Sequence, residues 1–201
     1  MNDGDGMSDP TSPYEGQHPT DLSPAVAREE VHNRRVTCNG FVRKDGLFDI
    51  EAELTDNKTY AFPTEFRGEI TPDDFVHHMK VRVTITRDLE VVAAEAVTIA
   101  GPYAICPTAN SVFDSLVGLK IGPGWRRRVT EAIGGRHGCT HITEMMGIIG
   151  TIAFQTRYGQ ESREKRRVVA STGIENALRR KDGRASALAN SCVAYAIPET
   201  E

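Results

Sequence analysis

The chain has 201 residues, of which 39% are apolar, 6% aromatic and 26% charged, a composition typical of one ordinary globular domain with tails. The net charge of −4 is unevenly distributed. Residues 1–30 contain seven acidic residues and one arginine, which leaves 23 basic and 21 acidic residues in the remainder. Because that remainder is nearly neutral, its charge gives no reason to expect nucleic acid or an anionic membrane surface as a partner.

The sequence contains no segment that predicts export or membrane insertion. Its first 20 residues lack the basic start and apolar core of a signal peptide. The longest apolar stretch, 147–154, is too short to span a bilayer. The four cysteines form no CxxC pair and match no zinc-finger spacing. We therefore expect reduced thiols, a cytoplasmic location and no membrane partner.

Composition divides the chain into four parts. Residues 1–30, rich in proline and small polar residues, predict a disordered acidic tail. Residues 31–158 carry the regular apolar patterns of a single α+β core domain. The basic, polar residues 159–184 predict a mobile loop or an exposed helix. Residues 185–201 are expected to form a C-terminal element that packs on the core.

Within the core domain, an alternation of apolar and polar residues precedes a helical period. The alternation predicts strands joined by tight turns, and consecutive hairpins imply a curved antiparallel sheet. The period of 3.6 begins after residue 102, and the last of the resulting helices is apolar nearly all round, hence central. The predicted strands are 36–42, 47–54, 58–62, 79–86 and 91–99, and the predicted helices 109–119, 123–133 and 140–158. This order predicts an α+β fold in which a curved antiparallel sheet from N-terminal hairpins is covered by C-terminal helices. The central helix would also allow a homodimer.

A glycine-rich turn at 134–144 brings together a thiol, two imidazoles and a carboxylate. Its glycines permit an abrupt helix start with the first turn facing a cavity. Cys139 at that start would gain thiolate character, and His141 and Glu144 would share a helix face. These side chains suit proton transfer or metal binding, and their types alone do not choose between the two.

A pair of histidines precedes the clearest strand. The alternation of that strand places His77 on its apolar side, facing the helices, and His78 on its polar side. Imidazole titrates near neutral pH, so His77 is a candidate acid, base or metal ligand. The alternative is a core histidine that is hydrogen-bonded to the backbone.

The cysteines allow two further interpretations. Cys106 and Cys139, with His77 and His141, could form a Cys2His2 zinc site from three segments, although Cys106 before a proline also suits a small buried apolar residue. Cys139 could act as a nucleophile if His77, His137 or His141 served as its base. Otherwise it is a buried thiol in a helix-capping turn.

The arginines at 126–128 could bind an anion, but three consecutive helical residues fan out too widely to hold a single one. A solvated face is expected, with one of them left to bind a substrate carboxylate or phenolate. No GxGxxG, Walker A, HExxH or GxSxG pattern occurs, so the sequence does not support nucleotide-dependent chemistry.

Several segments taken together resemble a bacterial family, the domain of unknown function numbered 2889. The resemblance runs from about residue 34 to 158, with a weaker last box at 190–194. Its boxes lie at 43–51, 76–79, 102–106, 116–119 and 138–144. The family pattern implies the following polar landmarks: His77, Cys106, Cys139, His141 and Glu144. The chain departs from the pattern at His78, where an acidic or small polar residue is expected, so no role is assigned there.

The resemblance also implies a function, since relatives are associated with bacterial breakdown of plant-derived aromatic compounds, including lyases that remove formaldehyde from lignin-type dimers. We therefore expect a lyase without a cofactor that acts on a small aromatic substrate. His77 and His141 would provide acid/base catalysis, with Glu144 orienting an imidazole and Cys139 as a further catalytic candidate. The expected substrate contacts are Arg43 and Tyr103 with a phenol, and a cavity lined by Met79, Met145 and Phe113.

Two other classes of function remain open. A zinc- or thiol-containing binding module without catalysis would bind metal stoichiometrically and lose stability on chelation. An interaction protein would contact partners through its acidic tail and its basic segment 159–184.

Overall fold

The computed structural model describes residues 22–172. The chain divides into two units, Met1–Val31 and His32–Glu201. Residues 22–31, the described part of the first unit, contain no helix or strand. The predicted C-terminal element 185–201 and most of the predicted acidic tail lie outside the described residues.

The centre of the fold is a four-stranded antiparallel sheet. Its strands are β1 (His32–Val42), β2 (Phe48–Lys58), β5 (His77–Ile85) and β6 (Val91–Ala100), in the order β1-β2-β5-β6. Two short strands, β3 (Phe62–Thr64) and β4 (Gly68–Ile70), form a separate hairpin between β2 and β5. Each strand of the large sheet pairs antiparallel with its neighbour, and the β1–β2 and β5–β6 hairpins are as predicted. The predicted strand 58–62 is wrong, because β2 continues to Lys58 and the next strand is Phe62–Thr64.

The two faces of this sheet differ because successive side chains of a strand point to opposite sides. The inner face is apolar, and its buried residues on β2 and β5 are Phe48, Ile50, Ala52, Leu54, Met79, Val81, Val83 and Ile85. The outer face is charged. On it, Arg82 bonds Glu51 and Glu95 at 2.7 Å each, across both neighbouring strands. The inner face therefore supplies the core, and the outer face is held by cross-strand ion pairs.

Helices cover the inner face, which confirms the predicted α+β fold. They are a 3₁₀ segment (Cys106–Leu116), α1 (Trp125–Ile133), a short 3₁₀ turn (Gly135–His137) and the long α2 (Thr140–Thr172). Helix α2 crosses β1 at close range, since a Cβ added at Gly40 would lie 1.8 Å from Oγ1 of Thr156. A glycine at that position lets the helix approach the sheet backbone directly.

The first helical segment differs from its prediction in type and bounds. Residues 109–119 are predicted as a helix, whereas the structure has a 3₁₀ run over Cys106–Leu116. The hydroxyls of Thr108, Ser111 and Ser115 each bond the carbonyl oxygen three residues earlier, at 2.5–2.8 Å. Such local bonds compete with α-helical hydrogen bonding and favour the tighter turn.

Helix α2 continues beyond the predicted end at residue 158. Residues 159–172, the described part of the segment predicted as a mobile loop or an exposed helix, are helical. Ion pairs four residues apart support the extension, because Glu161 bonds both Arg157 and Lys165. Glu164 is also held by Arg87, which comes from the turn between β5 and β6. Residues 173–184 of the predicted loop lie outside the described part.

Across residues 22–172, none of the helices combines the length and apolarity needed to cross a membrane.

Candidate functional site

Polar side chains gather at the end of the sheet where β2 stops and β5 starts, beside the first turn of α2. The strand register brings them together, since Asp56 lies opposite Arg34 of β1 and opposite His77 of β5. His141, in the first turn of α2, stacks on His77. The side chain of Asp56 sits at the centre of this cluster and is fully buried.

The carboxylate of Asp56 is saturated with hydrogen bonds. Its Oδ1 atom accepts from the backbone N–H of His77 at 3.1 Å and lies 2.9 Å from Nδ1 of the same residue. Its Oδ2 atom accepts from Nε and Nη2 of Arg34 at 3.1 and 2.7 Å. A carboxylate offers about four acceptor positions. Asp56 therefore uses all four positions on Arg34 and His77, and Nε2 of His32 lies 3.8 Å from its Oδ2 atom.

These contacts decide the charge of Asp56 and the proton position on His77. Burial by itself would raise the pKa of Asp56, but the hydrogen bonds from Arg34 and His77 outweigh burial and hold that pKa below its ordinary value. An ionised Asp56 can only accept, so Nδ1 of His77 carries the proton of their shared bond. The second ring nitrogen of His77, Nε2, is then the one available for chemistry.

The two imidazoles of the site are in direct contact. The ring centroids of His77 and His141 lie 3.9 Å apart, with the planes tilted by 37°. Burial lowers the pKa of His141, and the nearby positive charges of His77 and Arg34 lower it further. Burial and neighbouring positive charge therefore both disfavour the protonated form of His141.

Glu144 acts on the site through Arg34. Its Oε2 accepts from Nη1 of Arg34 at 3.1 Å, while the other side of the same guanidinium binds Asp56. The glutamate side chain itself is 58% exposed. The prediction that Glu144 orients an imidazole is therefore replaced by a different arrangement, in which Asp56 orients His77 and Glu144 holds Arg34.

Cys139 lies immediately before α2 and contacts the site from the helix side. Its Sγ atom is 3.8 Å from Nδ1 of His141 and 3.8 Å from Sδ of Met79. Among the described thiols, Cys38 is different in character, because burial raises its pKa to about 11 and keeps it protonated. Of the two, Cys139 is the thiol that touches an imidazole.

The structure separates Arg43 from this cluster but leaves Tyr103 at the cluster's end of the sheet, because its loop follows Ala100, which pairs with His78. Arg43 follows β1 at the opposite end of the sheet and bonds Asp45 and Asp49. Asp49 and Asp56 lie near opposite ends of β2, which corresponds to roughly 24 Å along an extended strand. Tyr103 is 68% exposed in the loop after β6. A resemblance in sequence does not show which end of a strand a residue occupies, so the expected contact of Arg43 with the same substrate does not fit this cluster.

Met79, Met145 and Phe113 support the site and do not line an open cavity. All three are buried members of the continuous hydrophobic core. Met79 lies two residues after His77 on the same strand face, and Met145 one helical turn after His141. All three belong to the packed core, in which Met79 and Met145 are the members next to the two imidazoles.

The predicted Cys2His2 set is not assembled as a group of neighbouring ligand atoms. Within residues 22–172, the group of three that could hold a metal is Asp56, His77 and His141, with ligand atoms within 4.8 Å of one another. Cys106 begins the 3₁₀ segment and packs against Gly101, where an added Cβ would lie 2.8 Å from that of Cys106.

Sequence reasoning missed Asp56 and Arg34. The local pattern indicates a turn at Asp56, although this residue continues the even-numbered series of Phe48 to Leu54 that defines the buried face of β2. An acid in phase with buried residues signals a paired, desolvated carboxylate. Arg34 carries no comparable signal, because its role follows from strand register alone.

A groove of about 440 Å³ runs between α1 and the first two turns of α2. Its lining includes Arg126, Gly134, Thr140, Glu144 and Gly147. Glu144 belongs both to this groove and to the ion-pair chain that ends at Asp56. The groove and the imidazole pair are therefore neighbouring parts of one region.

The fold and site define a small α+β protein with an Asp–His–His cluster at the junction of sheet and helix. Residues 32–155 match the family described as "Protein of unknown function (DUF2889)", and the chain belongs to that family. The match begins at the first residue of β1 and includes every residue of the cluster. Neither the curated proteins nor the solved structures contain a match to the chain.

Proposed function

We propose that the chain is a lyase that needs no cofactor and removes formaldehyde or water from a small, lignin-derived aromatic compound. The 2.9 Å contact between Asp56 and Nδ1 of His77, with His141 stacked on the same ring, carries this proposal. It provides two imidazoles in different electrostatic surroundings, which acid/base catalysis requires.

The surroundings assign one role to each imidazole. His141 is the base, because burial and its neighbours keep it neutral and able to accept a proton. His77 is the acid, because the contact of its Nδ1 atom with Asp56 at 2.9 Å fixes the ring and leaves Nε2 as the nitrogen that faces a substrate. Arg34 and Glu144 position the pair by fixing Asp56.

Loss of formaldehyde then needs two proton transfers. His141 takes the proton of a hydroxymethyl O–H, and the carbon–carbon bond to that group breaks as formaldehyde forms. The electron pair of the broken bond makes a carbon–carbon double bond beside the aromatic ring. A neighbouring carbon–oxygen bond breaks in turn, and the leaving oxygen takes a proton from His77.

The proposal is tested by formaldehyde release from a panel of lignin-derived aromatic diols. His77→Gln and His141→Gln should each lower turnover by about 100-fold or more, the usual contribution of a general acid or base. His78→Gln is the matched control, since His78 is the next residue on β5 but faces outward and bonds Glu53 at 2.6 Å. Full turnover in both site variants, or no diol consumed by the wild-type protein, would contradict the proposal.

A metal-binding module without catalysis is the second candidate. The ligand atoms of Asp56, His77 and His141 are close enough for one ion. However, Asp56 has no free acceptor position, and Arg34 places a positive charge 2.7 Å from its Oδ2 atom. A cation would have to displace Arg34 or His77 from the carboxylate. Elemental analysis that finds one metal per chain, lost in His77→Gln and His141→Gln, would favour this candidate over the lyase.

A further inference from the structure

The groove between α1 and α2 is lined by an arginine, Arg126, that is not paired with any of the described residues. Of the three consecutive arginines on α1, Arg127 pairs with Glu131 at 3.3 Å and Arg128 bonds the carbonyl oxygens of Pro123 and Lys120. For Arg126, no side-chain hydrogen bond or ion pair is formed with the described residues 22–172. Its guanidinium lines the groove, and the residue is exposed.

Gly147 makes room for this guanidinium. A Cβ added at Gly147 would lie 3.3 Å from Nε and 3.5 Å from Nη2 of Arg126. The first contact is tighter than ordinary packing and the second is ordinary, so a side chain at position 147 would shift the guanidinium by a few tenths of an ångström. The glycine lets Arg126 lie against the helix with its donors free to face the groove.

The charges around the groove favour a ligand with one anionic end. Glu144 also lines the groove, but Arg34 neutralises it at 3.1 Å. Arg126 thus keeps the uncompensated charge, and a planar guanidinium matches a carboxylate through two parallel hydrogen bonds.

The groove extends from this cation to the first turn of α2, the turn that carries His141. Arg126 lies at Gly147, and the other end is lined by Thr140, the residue before His141. The helical rise from Thr140 to Gly147 is about 10 Å. A single aromatic ring with a short side chain spans such a distance.

We propose that Arg126 binds a carboxylate of the substrate, and that the substrate is therefore an aromatic acid that lies along the groove with its reacting end near His141. This inference rests on the proposed function, since it identifies the substrate class of the same site. It adds Arg126 as the residue that determines specificity, and Gly147 as the residue that positions it.

The test compares two ligands that differ only in charge at one end, 4-hydroxycinnamate and 4-hydroxycinnamyl alcohol. Each is titrated into the ¹⁵N-labelled full chain, and amide shifts of Gly134, Gly135 and Gly147 report binding in the groove. We expect the wild-type protein to bind the carboxylate about tenfold more tightly at low salt, the magnitude of one charge-assisted pair. Arg126→Gln should abolish that preference, while Arg127→Gln should keep it.

Gly147→Ala provides a second variant that retains the arginine. Alanine favours the helix, so folding is preserved, and its methyl group, 3.3 Å from Nε of Arg126, should shift the guanidinium and lower the carboxylate preference without abolishing it. The inference is overturned if the wild-type protein binds neither probe or shows no preference for the carboxylate. It is also overturned if Arg127→Gln loses the preference as fully as Arg126→Gln does. Carboxylate binding without lyase activity would instead overturn only the proposed function, and lyase activity without a carboxylate preference only this inference.

Discussion

His77 contacts Asp56 twice, since its backbone N–H and its Nδ1 atom both lie about 3 Å from the same carboxylate oxygen. The backbone bond fixes where the strand begins, and the ring bond fixes the tautomer and orientation of the imidazole. One buried oxygen therefore couples the architecture of β5 to the chemistry of its first residue. His141 can stack on the ring only because that orientation is held.

The first prediction concerns the stability that Asp56 provides. In Asp56→Asn, the amide group faces Arg34 and His77 with one acceptor oxygen in place of two, so buried donors lose their partner. We expect the free energy of unfolding to fall by about 3 kcal/mol, the usual cost of removing one member of a buried ion pair. Urea unfolding measures the change.

Asp45→Asn is the matched control for that measurement. Asp45 also pairs with an arginine, Arg43, at 2.7 Å, but both side chains are exposed. Exposed pairs contribute little, so its unfolding midpoint should hardly move. Equal losses in the two variants would contradict a special role for the buried carboxylate.

The second prediction concerns pH. Burial, followed by the charges of His77 and Arg34, lowers the pKa of His141 in the folded protein. On acidification the unfolded chain therefore takes up this proton first. The stability involved is fully present above the unfolded pKa of about 6.5 and is lost as pH falls through the lower folded value.

His141→Gln should consequently flatten the decline in stability between about pH 7 and pH 5. Thermal or urea unfolding at several pH values in that window provides the measurement. His137→Gln, at an exposed histidine four residues earlier, should leave the slope of the wild-type protein unchanged. An unchanged slope in His141→Gln would rule out this origin of acid sensitivity. The lowered pKa of Asp56 acts in a separate window, below about pH 4.

The third prediction concerns the contact between α2 and β1. In Gly40→Ala, the new methyl carbon would overlap Oγ1 of Thr156, at 1.8 Å. We expect a loss of about 1–3 kcal/mol in the free energy of unfolding, the range for overpacked sites. Gly122→Ala is the control, because open space surrounds Gly122 and its φ is not positive. Adding Thr156→Ala to Gly40→Ala should recover part of the lost free energy of unfolding. If nothing is recovered, the contact between positions 40 and 156 is not the cause of the loss.

The fourth prediction concerns metal removal. Because protein donors occupy all acceptor positions of Asp56, treatment with EDTA should leave the unfolding temperature and any lyase activity unchanged. Differential scanning calorimetry before and after chelation measures the first quantity, and formaldehyde release the second. A large drop in unfolding temperature, reversed by added zinc, would contradict this prediction and favour the metal-binding module as the function of the site.

The outward or inward direction of the two histidines could be predicted from the sequence. The alternation of Met79, Val81 and Val83 extends backwards to His77 and leaves His78 on the opposite face, and the structure confirms both directions. The start of α2 at Thr140 also agrees with the glycine-rich turn before it. Local periodicity and turn residues suffice for such features because they depend on neighbours in the chain.

Which residues form the cluster could not be predicted from the sequence and became known only from the tertiary structure. Arg34, Asp56, His77 and His141 come from four elements, and the antiparallel register decides which of them lie opposite one another. Arg43 shows the same limit, since it follows the strand that carries Arg34 yet lies at the far end of the sheet.

By itself, the sequence determined the α+β order, the buried faces of β2 and β5, the membership of the family and the direction of His77. The tertiary structure decided that Asp56 is the carboxylate that holds His77, that Arg34 links it to Glu144, and that Arg126 is the arginine of α1 left unpaired within residues 22–172. The physical reason is the range of the interactions. Periodicity depends on residues a few positions apart, whereas the ion pairs of Arg34 join residues 22 and 110 positions apart, which only the folded chain brings together.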